Sequence, residues 1–264
     1  KKETVINWKF IHALPTKNMQ KSVQVSLTND EIKKMHPADL ADILEELDAN
    51  SRKLIFNELE TSYAAETLSE IDHDIQLSLI KDEPEEEVAE ILSLMGTDEA
   101  ADILNEITDE KKDKIIENFE DSERKEEIKE LLEYEEDTAG GLMSSEVFEI
   151  TPDLNKNDIL KIIKKEFDDI ESIYDIFIVD GQKKLIGHCP LNKLLISEDN
   201  ISIGKIMQFE DIKTISPSAN WKEVALLMSK YNLINIPITN NETNELLGIV
   251  SVDDVLPWLI DERS

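Results

Sequence analysis

A twelve-residue spacing of apolar side chains runs through the middle of the sequence and limits the folds open to this chain. Within one unit of the repeat, Ile43, Leu44 and Leu47 follow the i, i+1, i+4 pattern that places three side chains on one helical face. The same pattern returns around Phe56, Leu68, Ile80, Leu92, Leu104, Ile116 and Ile128. Short helices of about two turns are stable only when neighbours cover that face. The repeat therefore predicts a superhelix of stacked short helices over residues 31–138.

The connections of this superhelix are predicted from the polar residues between the apolar groups. Thr97 and Thr108 are expected to be helix N-caps, because acidic residues follow each in the next turn. Residues 48–51 are expected to form a connection. Glu83 stands where the repeat requires an apolar residue, directly before Pro84. One position of the repeat therefore departs from the pattern.

A second, longer repeat follows Gly140-Gly141, which is interpreted as a linker. Residues 143–195 and 206–256 both run from a methionine through a short strand, an amphipathic helix, two further strands and a closing helix. The expected helices span residues 157–167 and 221–231. The expected strands span 176–179, 185–189, 234–238 and 246–251, with hairpin turns at 180–181 and 240–241. Two such β-α-β-β-α units usually pack as a pseudo-two-fold pair. The predicted class is α+β, with residues 1–30 as an extended N-terminal segment and 139–264 as the paired units.

Charge is distributed unevenly and excludes several kinds of partner. The chain carries a net charge of −31, and residues 31–138 alone hold 36 acidic and 11 basic side chains. Such a surface repels nucleic acids and anionic lipid headgroups. It attracts cations or basic partners. No apolar run approaches the length needed to cross a bilayer.

No residue pattern calls for an enzyme. Cys189 is the only cysteine, which excludes an intramolecular disulfide. His188 and Cys189 would point to opposite faces of a strand, so they do not make a nucleophile–base pair. The tryptophans Trp8, Trp221 and Trp258 are expected in a core or an interface rather than as cofactor platforms. The prediction is a binding module without catalytic activity.

The two repeats together resemble the cytosolic region of the MgtE family of magnesium transporters and channels over residues 33–262. The resemblance rests on the acidic helical repeat, the segment EDTAGGLM at 136–143, and the segment GIVSVDDV at 248–255. The duplicated unit is similar to a pair of cystathionine-β-synthase (CBS) domains. Residues 1–30 resemble the end of a PRC-barrel. The resemblance implies a homodimer formed through the CBS domains at the cytosolic face of a membrane, linked to a transport domain in the same or an associated chain.

The family resemblance also implies a magnesium-dependent mechanism. In that family the superhelix and the CBS pair close on one another when Mg²⁺ neutralises carboxylates, and closure shuts an ion pore. Three acids of the superhelix, Glu66, Asp98 and Asp102, match the family's metal-facing positions, as do Asp254 and Glu262 at the end of the chain. Asp98 is equally explained as a first-turn acid favoured by the helix dipole. Residues that replace the usual acids of the family are Asn220, Lys222, Asn232 and Pro257.

Adenine nucleotide is a second ligand that the resemblance implies. Many CBS domains hold ribose with the hydroxyl and the acid of a G-h-h-S-x-x-D motif, in which h is an apolar residue, and the second unit keeps both at Ser251 and Asp254. The first unit has Pro190 and Lys193 there, and Asp175 in place of an expected aromatic residue. The alternative to a magnesium-sensing module is a stand-alone soluble scaffold of CBS and PRC type, with adenine nucleotide as its ligand.

Overall fold

The computed structural model describes residues 11–13, 24–25, 32, 34–165, 173–210 and 212–261. The chain divides into two compact units, one of residues 1–95 and 103–121 and the other of residues 96–102 and 122–264. Near the start, β1 (Ile11–Ala13) and β2 (Gln24–Val25) pair antiparallel. The remainder of the predicted PRC-barrel segment at 1–30 lies outside the described residues.

Short helices build the first unit, which confirms the prediction from the twelve-residue repeat. Four pairs of helices pack against the next but one along the chain: α1 with α3, α2 with α4, α3 with α5, and α5 with α7. The fully buried Leu44, Leu68 and Leu92 belong to the faces that the repeat marked as apolar. The helices in chain order, including two that belong partly or wholly to the second unit, are α1 (Pro37–Glu46), α2 (Ala49–Phe56), α3 (Thr61–Ser69), α4 (His73–Ile80), α5 (Glu85–Leu92), α6 (Thr97–Asn105), α7 (Asp109–Glu117) and α8 (Ser122–Leu131).

Helix starts differ in detail from the predicted caps. Residues 48–51 are not a connection, because α2 begins at Ala49 and the Asp48 carboxylate accepts hydrogen bonds from two of its first N–H groups. Thr108 is the N-cap residue of α7 by position, although its side chain makes no capping hydrogen bond. Thr97 is the first residue of α6 and not its N-cap. Its hydroxyl is buried and accepts hydrogen bonds from Ser145 instead.

Basic side chains stabilise the C-terminal ends of helices in the acidic unit. The Lys111 ammonium donates to the backbone oxygens of Ile80, Lys81 and Glu83, at 3.1, 2.6 and 3.0 Å, just beyond the end of α4. Arg52 does the same after α1, donating to the oxygens of Leu44 and Leu47 at 2.8 and 2.9 Å. These carbonyls lie in or just beyond the last turn of a helix, where the regular i to i+4 hydrogen bonds end and the helix dipole favours a cation. Two of the few basic residues in the repeat thus fix the stacking of its helices.

Replacing Lys111 by methionine is expected to lower the free energy of unfolding by about 2 kcal/mol, because hydrogen bonds from a charged donor to three carbonyls are lost while the apolar stem is kept. Urea denaturation measures the change. The matched control is Lys112→Met, which removes the same charge from the adjacent position of α7. Equal destabilisation by the two substitutions would contradict the role given to Lys111.

Glu83, which interrupts the apolar repeat, forms an ion pair with Lys53. Glu83 is largely buried and accepts a hydrogen bond from the Lys53 ammonium at 2.8 Å, with the Asn57 amide at 3.4 Å. The hydrogen bond from Lys53 lowers the pKa of Glu83. A buried carboxylate is tolerated only when paired in this way. The repeat therefore accommodates an acid where it otherwise places an apolar residue.

Two β-α-β-β-α copies form the second unit, as the longer repeat predicted. In the first copy, β3 (Glu149–Ile150) pairs parallel with β4 (Asp175–Val179), which pairs antiparallel with β5 (Leu185–Pro190). In the second, β6 (Asn235–Thr239) pairs antiparallel with β7 (Leu246–Ser251), and a parallel bridge from Ile215 to Ile238 replaces the first strand. The helices are α9 (Lys156–Lys165), α10 (Leu191–Ile196), α11 (Trp221–Tyr231) and α12 (Val252–Asp261).

The two copies exchange their opening segments. Ser144, at the start of the first copy, bridges Ile249 on β7 of the second. Gln208, at the start of the second, bridges His188 on β5 of the first. The hairpin ends also meet, through hydrogen bonds from Leu185 to Asn244 and from Leu246 to Lys183. Neither copy is therefore a closed structure by itself.

The prediction that Gly140-Gly141 is a linker is wrong, because this segment is packed within the second unit. The N–H groups of Ala139 and Gly140 donate to the backbone oxygens of Ala219 and Pro217, at 2.7 and 2.8 Å. Ala139 is fully buried and belongs to a core cluster with Leu142, Met143 and Trp221. The turn residues do break the helix, but they continue directly into the core of the second unit.

Replacing Glu149 by glutamine is expected to stabilise the fold near pH 7. Burial in β3 raises the pKa of Glu149, helped by the nearby Glu245 carboxylate and opposed by Lys183. The folded-state pKa of Glu149 lies above its ordinary value of 4.5, so ionisation of this carboxyl group opposes folding. Stability is therefore lost as pH rises from the ordinary pKa through the folded-state pKa. The gain should vanish below the ordinary value. Chemical denaturation at pH 7 and at a pH below 4.5 measures this gain in stability. The control for the general effect of removing a charge is Glu242→Gln at an exposed position.

Candidate cleft of the second unit

A shallow open cleft lies where β7 ends and α12 begins. It combines carboxylates, hydroxyls, one amide and three apolar or aromatic side chains. The lining residues are Ser144, Glu146, Tyr174, Ile234, Asn235, Ile249, Ser251, Asp253 and Asp254. The two residues predicted for nucleotide binding, Ser251 and Asp254, are thus in the same cleft. A pocket with an apolar wall and a few convergent polar groups is the usual form of a small-molecule site.

Ser251 and Asp254 are positioned by the start of α12. The Asp254 carboxylate accepts a hydrogen bond from the Ser251 N–H at 2.6 Å, as the acid of a capping box does. The Ser251 hydroxyl lies 2.9 Å from the same carboxylate oxygen and 2.6 Å from the Asp253 carboxylate. One hydroxyl proton cannot serve both carboxylates at once. The Ser251 hydroxyl and the carboxylates of Asp253 and Asp254 therefore meet at this end of the cleft.

The opposite wall is apolar and includes one residue that sequence reasoning missed. Tyr174 precedes β4 in the first copy and Ile234 precedes β6 in the second, and both side chains line the cleft with Ile249. Asn235 supplies an amide and is almost fully buried. Tyr174 occupies the position in the first copy that Ile234 occupies in the second. The alignment of the two copies already placed Tyr174 opposite Ile234 in the sequence. Only the pairing of the two copies, however, brings Tyr174 to a cleft that is formed mainly by the second copy.

A polar network continues from the cleft to α6 and α8 within the same unit. The Ser145 N–H and hydroxyl both contact the Thr97 hydroxyl, at 3.1 and 3.0 Å. Burial raises the pKa of Glu127 on α8, while a hydrogen bond with Ser145 opposes that shift. Arg124 forms an ion pair with Glu146 at 2.6 Å. The charge of the cleft residue Glu146 is therefore compensated from outside the cleft.

The corresponding positions of the first copy carry different chemistry, as the sequence predicted. Pro190 ends β5 where Ser251 ends β7, and Asp175 begins β4 where Asn235 begins β6. Asp175 contacts the His188 imidazole at 3.1 Å. Cys189 is buried on the opposite face, and burial raises the pKa of its thiol. The alternating burial along β5 places His188 and Cys189 on opposite faces, as the sequence predicted.

The predicted metal-binding acids are located as follows. Glu66 is exposed on α3, and Asp102 is exposed on α6 one turn after the half-buried Asp98. Asp254 lies in the cleft, and Glu262 falls outside the described residues. In the part of the chain that the structure describes, no three His, Cys, Asp or Glu side chains are grouped so as to hold a metal.

Two of the residues that the family resemblance implied as replacements of acids have local structural roles. Asn220 caps α11 by accepting from the Lys222 N–H at 3.1 Å, and its amide donates to Asp137. Asn232 ends α11 in the left-handed conformation, with φ of 53°, which asparagine tolerates better than most residues. Pro257 lies inside α12. Among the described helices, none has both the length and the apolar character required to cross a membrane.

Comparison with known proteins places these features in a family context. The model of the MgtE intracellular N domain matches residues 35–137, and the CBS domain model matches residues 203–261. The chain is 29% identical over 235 residues to the magnesium transporter MgtE of Thermus thermophilus, covering 88% of this chain and 52% of the relative. It is 32% identical over 143 residues to MgtE of Enterococcus faecalis, covering 54% of this chain and 31% of the relative. The chain thus spans about half the length of the Thermus thermophilus relative, and its match covers about a third of the Enterococcus faecalis relative.

Two solved structures share the fold over most of the chain. The soluble part of a magnesium transporter matches with a TM-score of 0.81 at 27% identity, covering 89% of this chain and 91% of the other. The cytosolic domain of the Mg²⁺ channel MgtE in complex with ATP matches with a TM-score of 0.79 at 29% identity, covering 87% and 92%. The chain accordingly contains an MgtE intracellular N domain at residues 35–137 and a CBS domain at residues 203–261, and it is similar over most of its length to the soluble part of a magnesium transporter.

Proposed function

We propose that this chain is a regulatory module of magnesium transport that senses Mg²⁺. The observation that carries the proposal is the concentration of 36 acidic against 11 basic side chains in residues 31–138, on a fold shared with the soluble part of a magnesium transporter. Closure of the acidic superhelix on the CBS pair would respond to the neutralisation of these carboxylates. The proposal includes three elements: Mg²⁺ as the transported ion, a pore that the module controls, and the closing motion.

Electrostatics support a cation-driven change. Two carboxylates about 4 Å apart repel by about 4 kcal/mol at an effective dielectric constant of 20, and a divalent cation between them reverses the sign. The candidate ligands are the carboxylates of Glu66, Asp98, Asp102, Asp254 and Glu262, with one or two of them at each bound ion. Mg²⁺ usually keeps several waters and takes only one or two carboxylates. Ligation by few protein oxygens therefore suits Mg²⁺ better than a closed cage would.

The module would act at the cytosolic face of a membrane, with a transport domain in the same or an associated chain. Homodimerisation through the CBS units is supported by apolar side chains exposed on their helices. Ile196 on α10 is 86% exposed, Leu226 on α11 is 69% exposed, and Ile260 on α12 is 63% exposed. Side chains of this size gain stability when a second copy covers them.

Limited proteolysis tests magnesium sensing. We expect about 10 mM Mg²⁺ to slow cleavage of the chain, whereas NaCl of equal ionic strength should not, because a hard dication bridges carboxylates and a monovalent ion only screens them. Asp98→Asn combined with Asp254→Asn should weaken the protection. The control is Asp153→Asn, an exposed acid of the second unit outside the proposed set. Protection that survives in the double variant would remove the metal assignment.

Adenine nucleotide binding in the cleft is a second candidate function. Two observations favour it: Ser251 and Asp254 converge in the cleft, and the related MgtE cytosolic domain has been solved in complex with ATP. The apolar wall of Tyr174, Ile234 and Ile249 would contact the base, and Ser251 and Asp254 would contact the ribose hydroxyls. A stand-alone CBS scaffold without a transport domain would keep this site and lose the magnesium response.

A further inference from the structure

A joint within the second unit connects the segment that follows α8 with the start of α11. Residues 137–140 lie along the residues that lead into α11, although the two segments are far apart in the sequence. The Trp221 N–H donates to the Asp137 backbone oxygen at 3.0 Å, and Thr138 forms an antiparallel bridge with Asn220. The path of the chain into the first copy is therefore fixed by the second copy.

The Asn220 side chain contacts both halves of this joint. Its oxygen accepts from the Lys222 N–H at 3.1 Å and so caps α11. Its Nδ2 donates to the Asp137 carboxylate at 3.0 Å and to the backbone oxygen of the same residue at 3.2 Å. These partners determine how the amide is oriented, because a backbone N–H requires an oxygen and a carboxylate requires a donor. A neutral donor therefore links the cap of α11 to Asp137.

Negative charge is concentrated on one side of this joint. Asp137 is exposed and follows the exposed Glu135 and Glu136, so three consecutive acids lead into it. Aspartate is as good an N-cap as asparagine, so a carboxylate at position 220 could also cap α11. It would, however, face the Asp137 carboxylate across the 3.0 Å that the hydrogen bond now spans, and two carboxylates that close repel unless a cation lies between them. Capping alone therefore does not require an amide at position 220, whereas contact with Asp137 in the absence of a cation does.

We propose that the Asn220 amide is a built-in bridge that makes this joint independent of divalent cations. The side chain at position 220 then determines the metal requirement of the joint: an amide gives a joint that is stable without metal, and a carboxylate gives one that needs a cation. Any response of the chain to Mg²⁺ arises at other acids. The proposal goes beyond magnesium sensing by the acidic superhelix and holds whether or not that sensing occurs.

Urea denaturation of the full chain, in EDTA and in about 10 mM Mg²⁺ at matched ionic strength, tests the proposal. Tryptophan fluorescence in a Trp8→Phe parent chain follows the second unit, because Trp221 and Trp258 both belong to it. We expect Asn220→Asp to raise the unfolding equilibrium constant about tenfold in EDTA, since repulsion between two carboxylates replaces a hydrogen bond. Mg²⁺ should reverse most of that loss, in addition to any effect that it has on the parent chain.

Exchanging the two side chains separates the bridge from other effects of the substitution. In the double variant Asn220→Asp with Asp137→Asn, an amide again faces a carboxylate. Its unfolding constant in EDTA should return to within about twofold of the parent value, and the additional response to Mg²⁺ should disappear. The charge-matched control is Asn192→Asp at an exposed position of α10, which should produce neither the loss nor the response.

Three results would overturn the built-in bridge. They are unchanged stability of Asn220→Asp in EDTA, a loss that Mg²⁺ does not reverse, and a double variant no more stable than the single one. Each of these results would leave magnesium sensing by the superhelix untouched, because that proposal is tested by the response of the unmodified chain.

Discussion

Replacing Asp254 by asparagine is expected to weaken adenosine binding at least tenfold. The carboxylate lies 2.9 Å from the Ser251 hydroxyl and is positioned to accept from a ribose hydroxyl in the same cleft. A hydrogen bond to a charged acceptor is worth about 1.5–3 kcal/mol, which corresponds to a change of roughly 10- to 150-fold in affinity. Asparagine retains an oxygen that can accept from the Ser251 N–H, so the start of α12 should persist.

Calorimetric titration with adenosine, together with a thermal unfolding curve for each variant, separates binding from folding. Ser251→Ala should also weaken binding, whereas Asp153→Asn should bind as the unmodified chain does. Adenosine affinity that stays within about twofold in both Asp254→Asn and Ser251→Ala, with unfolding unchanged, would show that these groups do not contact the ligand.

Substitution of closely packed glycines is expected to produce the largest losses of stability. A Cβ atom at Gly141 would lie within contact of the Glu135 backbone oxygen, and one at Gly248 would lie 2.6 Å from the Ser144 backbone oxygen. Backbone atoms cannot move away as a side chain can, so Gly141→Ala and Gly248→Ala should each cost about 3 kcal/mol. At Gly187 the principal obstacle is the flexible side chain of Met207, and Gly187→Ala should cost less.

The matched control for this series is Gly181→Ala. A Cβ atom there meets nothing within 4 Å, and its φ lies outside the left-handed region. The substitution should be neutral or slightly stabilising, because alanine restricts the unfolded chain. Urea denaturation of the four variants gives the order of stability. If Gly181→Ala lowered the free energy of unfolding as much as Gly248→Ala, the explanation by close backbone approach would be wrong. Any alanine substitution in these turns and strands would then be destabilising.

Local pattern was sufficient to predict most of the architecture. The twelve-residue spacing predicted the short helices because each must bury the same face, and Leu44, Leu68 and Leu92 are fully buried as expected. The predicted helix at 221–231 agrees with α11 at both ends, since Asn220 caps its start and Asn232 ends it. Strong local signals of this kind survive in the tertiary structure.

Features that depend on distant residues could not be predicted. Thr97 has the composition of an N-cap, yet its hydroxyl is used by Ser145, which is far away in the sequence. Gly140-Gly141 has the composition of a linker, yet the approach of residues 217–221 makes it part of a packed core. Tyr174 reaches the cleft only because the two copies pair. In each case a contact formed by folding replaced the role that the local sequence indicated.

The site was predicted in part. The motif at Ser251 and Asp254 identified one end of the cleft, because both residues lie within one turn at the start of α12. Of the predicted magnesium ligands that the structure describes, Asp98 and Asp102 share α6, whereas Glu66 lies on α3 and Asp254 on α12. Spacing along the chain cannot reveal which of these helices approach one another when an ion binds. Their assignment remains a prediction that depends on the response of the chain to Mg²⁺.

Small-angle X-ray scattering of the full chain, with and without about 10 mM Mg²⁺ at matched ionic strength, tests magnesium sensing most directly. The account predicts a smaller radius of gyration in Mg²⁺, and a weaker contraction in the variant carrying both Asp98→Asn and Asp254→Asn. Superimposable scattering profiles under the two conditions would contradict it, leaving the fold and the nucleoside cleft as descriptions without a magnesium switch.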